Sequence, residues 1–249
     1  MKILICGVGG RMGREVAKLA LEGVRGAEVV AGFDVLPVDT REFRTYTDWS
    51  AVEEDVDCII DFSHHTATSA LLSFAVSKKI PAVIATTGHT EQELAEIESA
   101  AKKIPIFRSA NMSLGIALLV ELAKTAAKTF PNADIEIIEK HHNRKLDAPS
   151  GTALLLANAI REVREKARLV FGRSGQAKRE PDEIGVHAIR MGNIIGEHEV
   201  IVGTDTQTLT LKHEAHSRAL FAEGAVAAAA FLIGKPAGIY DMKSMIEAE

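Results

Sequence analysis

Lys2-Ile3-Leu4-Ile5-Cys6-Gly7-Val8-Gly9-Gly10-Arg11-Met12-Gly13 stands at the start of the chain and carries its clearest fold signal. Lys2–Cys6 is an apolar run of strand length. A glycine-rich turn follows, and Arg14–Leu21 then reads as an amphipathic helix. Strand, tight glycine turn and helix make the first half of a βαβ unit, the setting in which a glycine motif binds a dinucleotide. Glycines let the turn close and let backbone approach a pyrophosphate, which then rests on the helix N-terminus. The spacing is a variant. The usual pattern places a third glycine where this chain has Met12, so the motif reads as Gly7-x-x-Gly10-x-x-Gly13. Tight strand-to-helix turns also want glycine for steric reasons alone, so the cofactor reading needs support from elsewhere.

Asp34 supplies it. This residue ends the second strand pattern, Val29–Phe33, 21 residues after Gly13. An acidic side chain there can accept hydrogen bonds from an adenosine ribose. Arg11 could lie over the pyrophosphate or cover the helix end. Ala85-Thr86-Thr87-Gly88 and Ser109-Ala110-Asn111-Met112 end two later strands, where loops of an open parallel sheet line the ligand crevice. Their hydroxyl and amide groups suit a nicotinamide ring, and each also suits a turn.

Working outward, the strand patterns Cys58–Phe62, Ala82–Thr86 and Ile104–Phe107 alternate with the helical patterns Ala67–Ser77 and Glu91–Lys102. The second helix opens on a capping box at Thr90 and Glu93. Such alternation predicts a doubly wound parallel sheet. Pro37–Asp48 is polar and has no clear period. After Asn111 the tempo changes: a helix (Leu114–Thr129), a strand (Asp134–Lys140), a polar segment ending in Pro149, and a helix (Thr152–Lys166). A basic stretch, Arg173–Arg179, reads as disordered, and three strand patterns follow at Gly185–Arg190, His198–Val202 and Thr206–Lys212. Consecutive strands without helices between them predict an α+β domain with a mixed or antiparallel sheet. Ala219–Ile233 is apolar nearly all round, so it must be buried, and we place it back against the first domain. The expected fold is α/β. An N-terminal doubly wound parallel Rossmann domain (residues 1–112, completed by 218–249) is joined to a C-terminal α+β domain with a mixed sheet (residues 113–217).

Composition bounds the function. Hydrophobic residues at 47% and charged residues at 25% match an ordinary globular protein. A net charge of −5 argues against a nucleic-acid partner. Cys6 and Cys58 lie in apolar runs and read as core residues of a reducing compartment. Met1 runs straight into a strand pattern with no room for a signal peptide, and no apolar stretch reaches the roughly 20 residues of a membrane span. A cytoplasmic protein without membrane contact is expected.

The densest chemistry is Glu139-Lys140-His141-His142-Asn143-Arg144-Lys145-Leu146-Asp147-Ala148-Pro149-Ser150-Gly151-Thr152-Ala153. Two histidines end a strand, so their rings point to different sides. Lys145 follows three residues after the second, and Pro149 rigidifies the entry to a helix. Ser150-Gly151-Thr152 opens that helix and offers backbone N–H groups and a hydroxyl to an anion. Adjacent histidines without cysteines or clustered carboxylates make a poor zinc set, so no metal is expected. A basic loop before a capped helix is the plain structural alternative. Cations and titratable groups beside an anion-binding helix end suit a carboxylate substrate that needs both neutralisation and a proton.

The run from Glu136 to Ala153, E-x-x-E-K-H-H-N-R-K-L-D-A-P-S-G-T-A, resembles the hallmark segment of dihydrodipicolinate reductases. The Gly7-to-Gly13 turn, Asp61-Phe62-Ser63, Ala85-Thr86-Thr87-Gly88, Ser109-Ala110-Asn111, Ser217-Arg218, Phe221-Ala222 and Tyr240-Asp241-Met242 follow in family order, so the resemblance spans the chain. It implies reduction of a small cyclic imine dicarboxylate, formed from its 4-hydroxy precursor by loss of water, to tetrahydrodipicolinate. It implies His141 as the general acid, Lys145 as a second proton donor, His142 in contact with substrate, and Gly151 with Thr152 on a carboxylate. Gly7, Val8, Gly9, Gly10, Arg11, Met12, Asp34, Ala85, Thr86, Thr87, Ser109, Ala110, Asn111 and Met112 would form the cofactor site. It implies a homotetramer too. Two departures stand out: family members often carry glycine where Ala85 stands, and many place arginine after the acidic residue, where this chain has Val35. The cofactor is therefore expected to be NADH and/or NADPH, with NADH at least as good. With cofactor and substrate groups on different domains, hinge closure is expected at Ser109–Leu114 and His216–Arg218. Two other readings stay open: a reductase of a different imine or semialdehyde, and a non-catalytic NAD-binding sensor. The lack of a cysteine near the crossover argues against the semialdehyde, and the His141/Lys145 set argues against the sensor.

Overall fold

The computed structural model describes residues 1–248 and divides into two compact units, Met1–Ser113 together with the tail from Arg218, and Leu114–Ser217. The first unit begins β1 (Lys2–Cys6), α1 (Arg11–Leu21), β2 (Glu28–Phe33), β3 (Arg44–Tyr46), β4 (Cys58–Asp61), α2 (Thr68–Lys78), β5 (Ala82–Ile84), α3 (Glu91–Ala101) and β6 (Pro105–Arg108). The second unit is α4 (Leu114–Thr129), β7 (Asp134–His141), α5 (Gly151–Arg161), β8 (Arg168–Phe171), β9 (Glu183–Arg190), β10 (Gly196–Gly203) and β11 (Thr208–Ala215). The chain then returns to the first unit as α6 (Ala219–Leu232), β12 (Gly238–Tyr240) and α7 (Met242–Ile246).

Seven strands of the first unit form one parallel sheet in the order β12-β6-β5-β4-β1-β2-β3. Its inner strands are apolar on both faces because both faces are covered. Leu4, Cys6, Ile59, Ile84 and Ile106 share a core with Leu71, Phe74 and Ile97 of α2 and α3. The alternate residues Ile3, Ile5, Ile60 and Val83 are fully buried as well, and on that side α6 packs against α1 and against β4, β5 and β6. Strand order reverses between β4 and β1, which places a crevice at the carboxyl ends of these strands. Helix α6 can lie close because residue 224 is glycine: a Cβ there would stand 1.7 Å from the Met112 carbonyl oxygen.

The second unit has a five-stranded mixed sheet in the order β11-β10-β7-β9-β8. β7, β9 and β8 run parallel, while β10 is antiparallel to both β7 and β11. Ile135, Ile137, Val186, Val200 and Val202 form a core with Ile116, Leu119, Leu156 and Ile160 from α4 and α5. Among the described residues, no helix is long and apolar enough to cross a membrane.

The structure departs from the sequence reading in several places. The aperiodic stretch Pro37–Asp48 contains β3, a three-residue edge strand too short to show a period. Helix α5 stops at Arg161 rather than Lys166, and in the segment beyond it Arg164 donates to the carbonyls of Ala127 and Ala133. Strands β8 and β12 carry no alternating pattern and exist through pairing with β9 and β6. The stretch Arg173–Arg179 is held at both ends: Arg173 reaches Glu183 at 2.7 Å and Arg179 reaches Asp134 at 2.7 Å.

Candidate active site

The first constellation lies wholly in the first unit. β1 leads into Gly7, whose φ of 79° is left-handed and whose missing Cβ would meet the Phe62 carbonyl oxygen at 2.7 Å. Gly13 is needed for a different reason. A Cβ on this helical residue would come within 2.2 Å of the Gly7 oxygen, so the helix could not sit on the turn. Helix α1 starts after Gly10 with no side-chain cap and no acidic residue in its first turn. Its N-terminal N–H groups and positive dipole end suit an anion.

Beside this turn a cleft of about 770 Å³ is lined by Gly7, Gly9, Gly10, Asp34 and the segment 35–39, with 62–64, Thr66 and Ala67. Its size fits a cofactor-sized ligand. Asp34 accepts the Gly9 N–H at 2.9 Å on Oδ2 and a longer bond, 3.4 Å, from the Leu36 N–H on Oδ1. One carboxylate oxygen thus braces the glycine turn. Val8 is 3% exposed and packs its side chain toward Gly32, so only its backbone can face the cleft. Arg11 is exposed and Met12 half-buried; the arginine that lines the cleft is Arg14. Ala85 and Thr86 are buried, and the Thr86 hydroxyl has no partner among the described residues; Thr87 and Ala110 are exposed. Ser109 donates to the Asn111 carbonyl at 2.7 Å and Asn111 Oδ1 accepts the Ser113 N–H at 2.9 Å, while Met112 is buried. These last two polar side chains make local turns. A turn that glycine alone can occupy, an uncapped helix end and a sizeable cleft together fit a dinucleotide.

The second constellation lies wholly in the second unit. Along β7, buried and half-buried residues alternate, and the buried row runs Ile135, Ile137, Glu139, His141. An apolar row thus ends in a carboxylate and an imidazole. Glu139 is fully buried, and four donors surround it: His141 Nδ1 at 2.6 Å, Arg190 Nη1 at 2.8 Å, Arg190 Nη2 at 2.7 Å and the Ser150 N–H at 2.9 Å. Burial alone would favour the neutral acid, but these hydrogen bonds outweigh it and hold the carboxyl down to about 2. A carboxylate on Nδ1 assigns that nitrogen its proton. His141 Nε2 makes no hydrogen bond among the described residues, and Gly196 leaves room beside it, since a Cβ there would stand 3.1 Å away.

His198 of β10 sits opposite Glu139 in register and stacks edge-on to His141, with ring centroids 5.2 Å apart. Burial first, then the charge of His141, pushes His198 down to about 4, so it stays neutral near pH 7. Its Nε2 meets Ser150 Oγ at 3.1 Å, and that oxygen also accepts the Ala153 N–H as the cap of α5. Ser150 is therefore a buried brace. Gly151 is exposed and Thr152 half-buried at the helix start. Lys145 Nζ pairs with Asp147 Oδ1 at 2.8 Å, and its hydrogen bond lowers the Asp147 carboxyl. His142 is half-buried.

Glu139, Arg190 and His198 are site residues that the sequence alone does not assign, as are Arg14 and the loop after β4 among the cleft residues. A charged residue in the row Ile135-x-Ile137-x-Glu139 was a readable signal for the first. The loop after β4 could be found only once the strand order was known, and Arg190 and His198 only from the register of β9 and β10 against β7.

Comparison with known proteins follows the same division. The family description "Dihydrodipicolinate reductase, N-terminus" matches residues 1–112, and "Dihydrodipicolinate reductase, C-terminus" matches residues 115–246. A protein of Caldanaerobacter subterraneus subsp. tengcongensis named 4-hydroxy-tetrahydrodipicolinate reductase is 50% identical over 99% of this chain and 98% of its own. One of the same name from Clostridium tetani is 43% identical over 99% and 97%. The solved dipicolinate-bound dihydrodipicolinate reductase of Paenisporosarcina sp. TG-14 superposes with a TM-score of 0.83 at 25% identity, covering 97% of each chain.

Proposed function

The chain belongs to the dihydrodipicolinate reductase family, and from that premise we propose that it reduces 4-hydroxy-tetrahydrodipicolinate, by way of the dehydrated cyclic imine, to tetrahydrodipicolinate in diaminopimelate and lysine biosynthesis. It is an oxidoreductase that uses a nicotinamide cofactor. The observation that carries the chemical reading is His141. Its Nδ1 is tied to a buried carboxylate, and among the described residues Nε2 makes no hydrogen bond.

The bound nicotinamide supplies a hydride to a conjugated carbon of the substrate. The Gly7–Met12 turn and the α1 N-terminus would hold the pyrophosphate, Asp34 would take the adenosine ribose, and Ala85–Thr87 with Ser109–Met112 would hold the nicotinamide. His141 gives a proton from Nε2 to the electron-rich carbon left by the hydride. Lys145 is the second proton donor, and His142 contacts the substrate. Gly151 and Thr152 hold a carboxylate at the start of α5, on a cap braced by Ser150. Residues 1–112 with 218–249 serve the cofactor, and residues 113–217 serve the substrate and oligomerisation. NADH serves at least as well as NADPH, and the working protein is a cytoplasmic homotetramer.

The test is oxidation of NADH by the purified protein with enzymatically generated substrate, beside a simple cyclic imine and an aldehyde. We expect turnover with the dicarboxylate substrate alone. Comparable turnover of the other two would replace this reading with a broader imine or aldehyde reductase, and no turnover with any would leave a binding protein.

A further inference from the structure

We propose that Glu139 is the positioning residue of the reaction: it fixes the tautomer of His141 and supplies the counter-charge to its imidazolium, with Arg190 setting how much of that charge His141 feels. The proposal rests on the reading of His141 as the acid.

Glu139 and His141 stand two apart on β7, so both side chains leave the same face, and the carboxylate meets Nδ1 at 2.6 Å. A proton held on Nδ1 leaves Nε2 as the nitrogen that can gain and lose one. The same logic orders a histidine between a carboxylate and a reacting group in hydrolases. Glu139 cannot swing away, because Arg190 grips both its oxygens and the Ser150 N–H holds one of them. Arg190 also donates to the Asp147 carbonyl at 2.6 Å, which ties the loop carrying Lys145 to the same carboxylate. Glu139 meets the ring from its own strand, His198 of β10 stacks edge-on to it, Arg190 of β9 reaches it through Glu139, and Lys145 pairs with Asp147 on the loop that Arg190 ties to Glu139. His198 stays neutral and so does not compete for the charge.

In the step itself the Nε2–H bond breaks and a C–H bond forms at the substrate carbon beside the one reduced by the nicotinamide hydride. The imidazolium becomes a neutral ring with its proton still on Nδ1, and solvent returns a proton to Nε2.

The experiment compares Glu139→Gln, Arg190→Met and the Glu139→Gln/Arg190→Met pair with the wild type. The pair guards against misfolding, since it removes the buried carboxylate and its half-buried guanidinium partner together. Two readings are taken: imidazole ¹⁵N shifts of His141 and the pH profile of kcat and KM. An acid works below the pH at which it loses its proton, so kcat falls as pH rises. In Glu139→Gln we expect the ¹⁵N pattern to lose its Nδ1–H signature. We also expect kcat near neutrality to drop by about 10- to 100-fold with little change in KM, and its alkaline fall to move to lower pH. Arg190→Met should move that fall the opposite way. His141→Gln tests the underlying reading separately: wild-type kcat there would overturn the acid assignment. If His141→Gln loses kcat while Glu139→Gln, alone and in the pair, keeps the wild-type ¹⁵N pattern and profile, the role of Glu139 alone is overturned.

Discussion

His141 and Lys145 stand in different surroundings, and their expected behaviour differs accordingly. His141 is 8% exposed and braced by a buried carboxylate, whereas Lys145 pairs with an Asp147 side chain that is 57% exposed. Such a pair is worth roughly 0–1 kcal/mol, so Lys145 can leave it for the substrate at little cost. Removing both groups in His141→Gln/Lys145→Ala should lower kcat by about 10²-fold or more with NADH affinity nearly unchanged; steady-state kinetics and cofactor titration check this, and wild-type turnover would sink the assignment. On the proposed reading, Asp34 sets the choice between NADH and NADPH. A 2′-phosphate about 4 Å from its carboxylate meets repulsion of roughly 4 kcal/mol at an effective dielectric near 20, less whatever solvent and salt screen. Because Asp34 also braces the Gly9 N–H, Asp34→Ala should cost NADH affinity as well. Val35 is 75% exposed at the cleft rim, so Val35→Arg alone should raise kcat/KM for NADPH and leave the turn intact. A wild type that favours NADPH by about tenfold or more (1.4 kcal/mol) would overturn the reading of Asp34 and point to Arg14 as the phosphate's partner.

The two helix starts proposed to bind anions are built in opposite ways. α1 has no side-chain cap, and its close seat on the turn depends on the absence of a Cβ at Gly13. α5 is capped by Ser150, whose hydroxyl takes the Ala153 N–H, so on the proposed reading anion binding falls to the backbone of Gly151 and Thr152. Pyridine-2,6-dicarboxylate should therefore compete with substrate, while a pyridine monocarboxylate should bind more weakly by about 1–3 kcal/mol, one charged set of hydrogen bonds. Inhibition constants for the two compounds measure this directly, and equal values would remove the carboxylate from this helix end. Ser150→Ala should weaken the helix by about 1 kcal/mol through loss of the cap.

For the whole molecule, the buried polar cluster of the second unit predicts acid lability. His198 has its folded value near 4, below the ordinary 6.5, so the unfolded chain takes up that proton first. Its stabilising effect is complete above pH 6.5 and is lost as pH falls toward 4. Glu139, near 2 against an ordinary 4.5, adds stability above 4.5 that disappears as pH falls through 4.5 to 2. Each shift corresponds to a loss on the order of 3 kcal/mol. Urea midpoints between pH 7 and 4 should therefore decline, and His198→Asn should flatten that decline even if it begins from lower stability. An unchanged slope in the variant would mean that His198 is not the responsible group.

The βαβ opening, the long helices and the buried helix α6 were legible in the sequence, because burial on one face or all faces writes a period into a run of ten or more residues. The glycine turn and the segment from Glu136 to Ala153 were legible because they are contiguous. The short strands β3, β8 and β12 were not, since three or four residues carry no period and such strands exist only by hydrogen bonding to a neighbour. Nor could the sequence say which group would meet Glu139. Arg190 lies 51 residues away, and a one-residue slip of β9 against β7 would turn its side chain to the other face of the sheet. Residue types thus announced the chemistry locally, while strand register, a long-range property, decided which charges became partners.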